Sequence, residues 1–240
     1  MLKIQNLTKT YTEGKVAVDN LTIQVEPGDI YGFIGHNGAG KTTTIKSIVS
    51  IHEFDSGEIF VNGISVRENP ISCKQVMAYI PDNPDLYDYL TGIQYLNFIA
   101  DIYQVSQKER QERIQKEAAD FEITHALGDL ISSYSHGMKQ KLALIGAFIH
   151  KPKLLVLDEP FVGLDPKASL SLKEKMKELC SEGNAIFFST HVLDVAEKLC
   201  NKIAIISQGK LQLAGETSQV IKDKSLEQVF MEVAVNDTTD

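Results

Sequence analysis

The sequence predicts an α/β fold with a mainly parallel core sheet. Two observations carry that prediction. Continuous apolar runs alternate with helical patterns along the second half of the chain, and a glycine-rich turn joins one such run to a helix start near residue 35. Ile30–Ile34, Leu154–Asp158, Ala185–Ser189 and Ile203–Ile206 are apolar throughout rather than at every second position. That is the pattern of strands covered on both faces, as in parallel sheets whose crossovers are helices.

The elements follow in order. The first sixty residues hold short strand-like pieces at Leu2–Asn6, Leu21–Val25, Ile30–Ile34 and Glu58–Val61. Turn signals separate them at Glu13-Gly14, Glu26-Pro27-Gly28-Asp29, Ser56-Gly57 and Asn62-Gly63. A further strand is expected over Val76–Ile80. From Tyr87 to His150 the pattern turns helical, with Leu96, Ile99 and Tyr103 in phase. The charges crowded between Lys108 and Asp120 read as a solvated helix face. Met138, Leu142, Ile145 and Ile149 mark an amphipathic helix with one face toward a core. Beyond Leu154–Asp158, a helix carries Leu172, Met176, Leu179 and Cys180 on one side, and another carries Val192, Val195, Ala196 and Leu199. Gly209 turns the chain after the last apolar run. Leu226, Val229, Phe230 and Val233 outline a short terminal helix, with fraying expected from Asn236 to Asp240.

Composition narrows the class. The chain has 240 residues, a formal net charge of −8 and 43% hydrophobic residues, ordinary values for a globular protein with a real core. An acidic chain is poorly suited to sequence-independent nucleic-acid binding, which runs on phosphate neutralisation by Lys and Arg; no nucleic-acid partner is expected. Cys73, Cys180 and Cys200 are scattered and odd in number, which favours buried thiols in a reducing compartment over a disulfide framework. The apolar run from Leu142 to Ile149 is far short of the ~20 residues a membrane span requires. No signal-peptide core is legible at the start. A cytoplasmic location is expected, with any action on a membrane exerted through another chain.

The chemistry concentrates in three places. Gly35-His36-Asn37-Gly38-Ala39-Gly40-Lys41-Thr42 matches G-x-x-x-x-G-K-[ST] at every fixed position, between an apolar run and a helix that opens at Thr43. Glycines allow successive amides to wrap phosphate oxygens, and the positive end of the helix faces the same anion. Lys41 can reach the outer phosphates, and the Thr42 hydroxyl can ligate Mg²⁺. Asp158 stands at the carboxyl end of an apolar run, where open α/β sheets bind ligands. In phosphate-loop enzymes such an aspartate helps hold Mg²⁺. Glu159, next to it, can orient the attacking water or accept its proton. Ser135, in Tyr134-Ser135-His136-Gly137-Met138, reads as a helix N-cap that could also contribute to an anion site.

Together these residues make the chain resemble the ATP-binding subunit of an ATP-binding-cassette (ABC) transporter, from Leu2 to about Gly215. The loop at Gly35–Thr42 resembles the Walker A motif, and Leu154–Asp158 resembles Walker B with Glu159 as catalytic glutamate. Ser135-His136-Gly137-Met138 is similar to the family signature, Gly163-Leu164-Asp165 to the D-loop, His191 to the switch histidine and Tyr11 to the aromatic residue that stacks on adenine. The resemblance implies a phosphate-loop NTPase core, an N-terminal antiparallel β subdomain and a helical subdomain inserted at about 85–150, all within one nucleotide-binding domain spanning 1–240. ATP and Mg²⁺ are the implied cofactors. Thr42, Asp158 and Asp82 would hold the metal. Lys41, Glu159 and His191 would carry catalysis. Residues Gly35 to Thr43, with Tyr11 and Asp82, would contact the nucleotide. Two copies would pair head to tail, so that Ser135 and Gly137 of one cover the γ-phosphate held by the other, with Asp165 coupling the sites. The implied partners are membrane permease subunits on a separate chain, met at the inner face of the cell membrane, and a second copy of this chain in a homodimer.

Two departures qualify the match. The signature is usually Leu-Ser-Gly-Gly-Gln; His136 and Met138 are instead similar to the ABC-2-type exporter subgroup. Asp82 stands where many relatives place a glutamine. A carboxylate keeps acceptor oxygens there, loses an amide donor and adds negative charge near Mg²⁺. The rival classes are a soluble ABC ATPase that switches partners, for example in iron–sulfur assembly, and a small-molecule kinase. Repair proteins of the superfamily insert long coiled coils, whereas the stretch from Lys41 to Ser135 shows no sustained heptads. Translation factors carry two cassettes per chain, against one here. A kinase would not require the signature, Asp165 and His191.

Overall fold

The computed structural model of the chain describes residues 1–12 and 14–236. A six-stranded sheet forms the centre. It contains β3 (Ile30–Ile34), β6 (Met77–Ile80), β7 (Leu154–Asp158), β8 (Ala185–Thr190), β9 (Lys202–Ser207) and β10 (Lys210–Glu216), in the order β10-β9-β3-β8-β7-β6. Every pairing is parallel except the edge pair of β9 with β10. All residues of β3, β7 and β8 are buried, which is why those runs are apolar without alternation. β10 differs because it is an edge strand with no fully buried residue; its polar residues alternate with Leu211 and Leu213, which pack against the two different cores across a register shift.

A second, antiparallel sheet, ordered β2-β1-β4-β5, lies against one face of the first. It comprises β1 (Leu2–Thr10), β2 (Val16–Val25), β4 (Ser56–Val61) and β5 (Ile64–Ser65). β1 and β2 extend beyond their apolar ends. In β1 the buried positions step from Leu2 and Ile4 to Leu7, and the register shifts where Asn6 takes φ 49°, a bulge that hides the second half of the strand from a period-two reading. The turn expected at Ser56-Gly57 is corrected: both residues open β4. Gly57 has φ 94°, and a Cβ there would press on the Gln5 and Asn6 carbonyls at 2.5 Å. Its glycine therefore serves a close strand approach rather than a turn. The turn at Asn62-Gly63 joins β4 to β5 as expected.

Helices cover the remaining surfaces. α1 (Lys41–Ile48) and α2 (Pro70–Val76) lie early, and α3 (Gly92–Ile102), α4 (Gln107–Asp120) and α5 (His136–Ile149) are inserted between β6 and β7. α6 (Pro166–Ser181), α7 (Leu193–Leu199), α8 (Thr217–Ile221) and α9 (Leu226–Asn236) follow. Thr91 begins α3 with a reciprocal capping box to Gln94. α5 corrects its simple amphipathic reading, since every residue from Leu142 to Ile149 is buried. It is enclosed by α3, α4 and β6. α4 is mostly solvated, but Glu117 is buried against Lys175 of α6 at 2.7 Å.

Two cores result, one on each face of the large sheet. Tyr31, Phe33, Val156 and Phe187 face α1 and the small sheet, whereas Ile34, Leu155, Leu157 and Phe188 face α5, α6 and α7. Alternate residues of one strand serve alternate cores. Cys73, Cys180 and Cys200 are all buried and unbridged, and burial pushes the Cys180 thiol up to about 12. Against the fraying expected from Asn236, that residue is still helical as the last of α9, and residues 237–240 lie outside the described residues. Among the described residues, no helix is long and apolar enough to cross a membrane.

Candidate nucleotide site

The carboxyl ends of β3 and β7 open into a cleft of about 380 Å³. β3 delivers the loop from Gly35 to Gly40, which runs directly into α1. Among the described residues, the amides of Gly38, Gly40, Lys41, Thr42 and Thr43 meet no protein acceptor. Gly40 takes φ 111°, and any Cβ there would collide with the Ala17 carbonyl. The loop is thus a cradle of unpaired donors at a helix N-terminus, built for an anion. His36, Asn37, Gly38, Gly40, Lys41, Thr42 and Thr43 line the cleft, while Gly35 and Ala39 support it from beneath as buried residues.

Lys41 is the positive centre. Its side chain is only 6% exposed, and Nζ donates to the Gly35 carbonyl at 2.6 Å and the His36 carbonyl at 3.4 Å. It also lies 3.3 Å from Glu159 Oε1. Glu159 Oε2 meets His191 Nδ1 at 2.9 Å and accepts from the His191 amide at 3.3 Å. The structure therefore strings Lys41, Glu159 and His191 into one chain of contacts, although they come from the start of α1 and from the residues directly after β7 and β8. Glu159 adopts φ 49°, a left-handed conformation that costs of order 1–3 kcal/mol in a non-glycine residue and clusters at functional sites. Its amide is held by the Ser189 carbonyl at 3.3 Å and Ser189 Oγ at 3.1 Å.

The carboxylate behind Thr42 is Asp158. Thr42 Oγ1 donates to Asp158 Oδ2 at 2.8 Å, and the Ser189 hydroxyl donates to Asp158 Oδ1. Asp158 is 2% exposed and opens onto the cleft. Asp82 joins the same rim, with Oδ1 accepting from the Asn83 amide at 2.9 Å. Thr42, Asp158 and Asp82 present only hard oxygen donors, the ligand chemistry that Mg²⁺ selects. The donor set and the empty-handed amides therefore fit a magnesium nucleotide.

At the other end of the cleft, the Tyr11 hydroxyl lies 3.2 Å from Thr43 Oγ1 and 3.3 Å from His52 Nδ1. Burial, followed by Lys46 and Lys9, holds the His52 imidazole below its ordinary value. His52 thus favours the neutral form in which one ring nitrogen can accept.

Ser135, Gly137 and Asp165 are not in this cleft. They form a second cluster, where Ser135 Oγ caps α5 through the Met138 amide at 3.3 Å and Asp165 Oδ1 caps α6 through the Ala168 amide at 2.9 Å. Asp165 Oδ2 pairs with Lys141 Nζ at 2.7 Å, and the hydrogen bond from Lys141 is the main cause of the lowered Asp165 pKa. A Cβ on Gly163 would stand 2.8 Å from the His136 ring, and one on Gly137 would stand 3.0 Å from the Gly163 carbonyl. The first turn of α5 and the loop into α6 therefore touch closely.

Four contributors escape the sequence reading: Ser189, His52, Lys141 and Lys15, the last of which lines the cleft. Ser189 had a legible signal, because it ends an apolar run and aligns with Asp158 across β7 and β8. His52, Lys15 and Lys141 have none, since their relevance arises only from distance.

The fold and the site define a phosphate-loop nucleotide-binding α/β protein. The chain belongs to the ABC transporter family, whose model matches residues 18–162. It is 34% identical over 242 residues to the ABC-type transporter ATP-binding protein EcsA of Bacillus subtilis, covering 99% of this chain and 98% of that one. The linearmycin resistance ATP-binding protein LnrL of the same organism is 33% identical, covering 90% of this chain and 69% of its relative. A solved ATP-binding subunit of an ABC transporter superposes with TM-score 0.93 at 33% identity, covering 98% and 99% of the two chains. Membership makes this chain an ABC-transporter ATP-binding subunit and an ATPase, with ATP and Mg²⁺ as the groups its family binds.

Proposed function

We propose that this ATPase powers an exporter through permease subunits on a separate chain, as a homodimer in which each copy completes the other's ATP site. The observation that carries the pairing is the separation of the two clusters. The cleft holds Lys41, Asp158 and Glu159, with His191 reaching it through Glu159, while Ser135 and Gly137 are exposed or half-exposed outside it. A second copy turned head to tail would bring the signature over the first copy's cleft. The whole chain, 1–240, serves as one nucleotide-binding domain, with the helical subdomain at about 85–150 as its insertion. The partner face is the exposed aromatic group of that insertion. Tyr87, Tyr89 and Phe98 are each at least 41% exposed and stand within 6 Å of one another through Tyr87, an arrangement that favours protein contact over solvent. Docking there would hold the subunit at the inner face of the membrane, and the net charge of −8 argues against nucleic acid.

Export is favoured by two things. Ser135-His136-Gly137-Met138 resembles the ABC-2 exporter signature, and one relative confers resistance by its name. Outward transport is one way to produce resistance.

In the mechanism, Lys41 and the loop amides hold the phosphates, and Tyr11 carries the adenine. Thr42, Asp158 and Asp82 would hold Mg²⁺, which supplies charge neutralisation of the phosphate oxygens when bound. An arriving phosphate takes Lys41 from Glu159, freeing the carboxylate to orient water for in-line attack and accept its proton. His191, released as that carboxylate turns to the water, can then aim its Nδ1–H at the charge that builds on the γ-phosphoryl oxygens. Asp165 links this event to the neighbouring copy.

The test is Glu159→Gln protein followed by light scattering and phosphate release. Turnover should fall by roughly 10²–10³-fold, and MgATP should shift the mass from monomer to dimer. A variant that hydrolyses ATP at the parental rate, or stays monomeric in saturating MgATP with permease present, contradicts this mechanism.

A further inference from the structure

The terminal helix α9 lies far along the chain from the phosphate loop, yet it reaches it. The Phe230 ring stands 4.6 Å from the His36 imidazole, centroid to centroid, at 58°. Phe230 is 8% exposed, so this contact is part of a packed face with Leu226 and Val229. His36 is the loop residue whose carbonyl accepts from both the Ala39 amide, at 3.1 Å, and Lys41 Nζ. The first residue of α9, one turn before Phe230, is tied to α7. The Leu226 amide donates to Glu197 Oε2 at 2.7 Å. Glu197 belongs to α7, which starts two residues beyond His191. One helix thus touches the loop that holds Lys41 and the helix that follows His191.

We infer that Phe230 is a positioning residue for ATP binding, bracing the His36 segment so that its carbonyl keeps Lys41 aimed into the cleft. His36 is exposed, and Phe230 is the ring its imidazole meets among the described aromatic pairs. Without the ring, the loop samples more conformations, and ATP must order it on binding. The consequence is weaker nucleotide binding rather than slower chemistry, because Phe230 touches no reacting group. The inference rests on the loop being the ATP site.

The experiment is steady-state ATPase kinetics and fluorescent-nucleotide titration on the full chain. Phe230→Ala should raise the ATP KM and Kd by about 3- to 10-fold with kcat within twofold. His36→Ala should do the same, and the double variant should be no worse than either single one, since both remove one contact. Phe230→Tyr, which keeps the ring, should return KM to near the parental value. Met231→Ala, on the exposed side of the same helix, should leave KM unchanged. The inference is overturned if Phe230→Ala lowers Tm but leaves KM and Kd at parental values, or if the two substitutions multiply. Should Phe230→Ala fail to fold, His36→Ala on the exposed loop decides alone: an unchanged KM overturns the proposal. Lys41→Ala separates the two levels. Parental turnover in that variant would remove the ATP-site reading itself, whereas loss of turnover with a normal Phe230→Ala would remove only the bracing.

Discussion

A single side chain in this protein often derives its role from a neighbour that the sequence does not advertise. His52 is an example. Nothing in its local sequence separates it from an ordinary loop histidine, but its Nδ1 and Thr43 Oγ1 bracket the Tyr11 hydroxyl. A ring held at its tip loses fewer rotamers when adenine stacks on it. His52→Ala should therefore raise the ATP KM about threefold, the scale of one neutral hydrogen bond, and leave kcat unchanged. Tyr11→Phe should match it, since that change removes the other end of the same bond. Steady-state kinetics of both variants check this, and a parental KM in both would show that the hydroxyl does not fix the ring. Lys41, Thr42, Asp158 and Glu159 were legible because their residue types are dictated by phosphate and Mg²⁺ chemistry at fixed spacing. His52 was not, because an imidazole acquires meaning only from the atom opposite it.

At the level of elements, the contact between the first turns of α5 and α6 matters most. Lys141 lies one turn into α5 and meets the N-cap of α6. A cation that fixes the capping carboxylate also fixes the Gly163–Asp165 loop that leads back to Glu159. Asp165 is half-exposed, so solvent screens the pair and its worth is modest. Lys141→Met should lower kcat by about 3- to 10-fold without changing the Kd for ATP, because Lys141 lies outside the cleft. Turnover assays with nucleotide titration test this; a weakened Kd with unchanged kcat would place the residue in binding instead. The helices here were largely readable from phase. The charges of α4 read as a solvated face, and the exception at Glu117 follows from α6 lying alongside it, with Lys175 7% exposed between Glu117 and Asp120. No helix periodicity can announce a partner on another helix.

The molecule as a whole carries a buried titratable group whose effect is global. His150, at the end of α5, stacks on Tyr103 with centroids 3.6 Å apart. Among the described residues neither buried ring nitrogen finds a hydrogen-bond partner of good geometry, and burial, the largest cause, lowers its pKa to about 4 from 6.5. Between those values the unfolded chain binds a proton that the native state refuses. Stability is therefore full above pH ~6.5 and falls as pH drops toward ~4. The loss from this residue is at most about 3 kcal/mol. His150→Phe, which keeps the stack, should flatten the decline of Tm across that window, as thermal denaturation at several pH values would read. An unchanged slope would assign the acid sensitivity to other groups.

The sequence by itself determined the class of the fold, the phosphate loop and the carboxylates beside it. Short continuous apolar runs bounded by turn signals suit strands covered on both faces, and the phosphate chemistry admits few residues at fixed spacing. Family membership was legible for the same reason, in motifs whose order is fixed by the chain. The tertiary structure alone decided that β1 continues past its bulge, that Gly57 belongs to a strand, that Ser135 and Asp165 lie apart from Lys41, and that Phe230 reaches His36. Those facts depend on which surfaces meet. Local patterning records whether a residue is buried, but not which distant residue buries it.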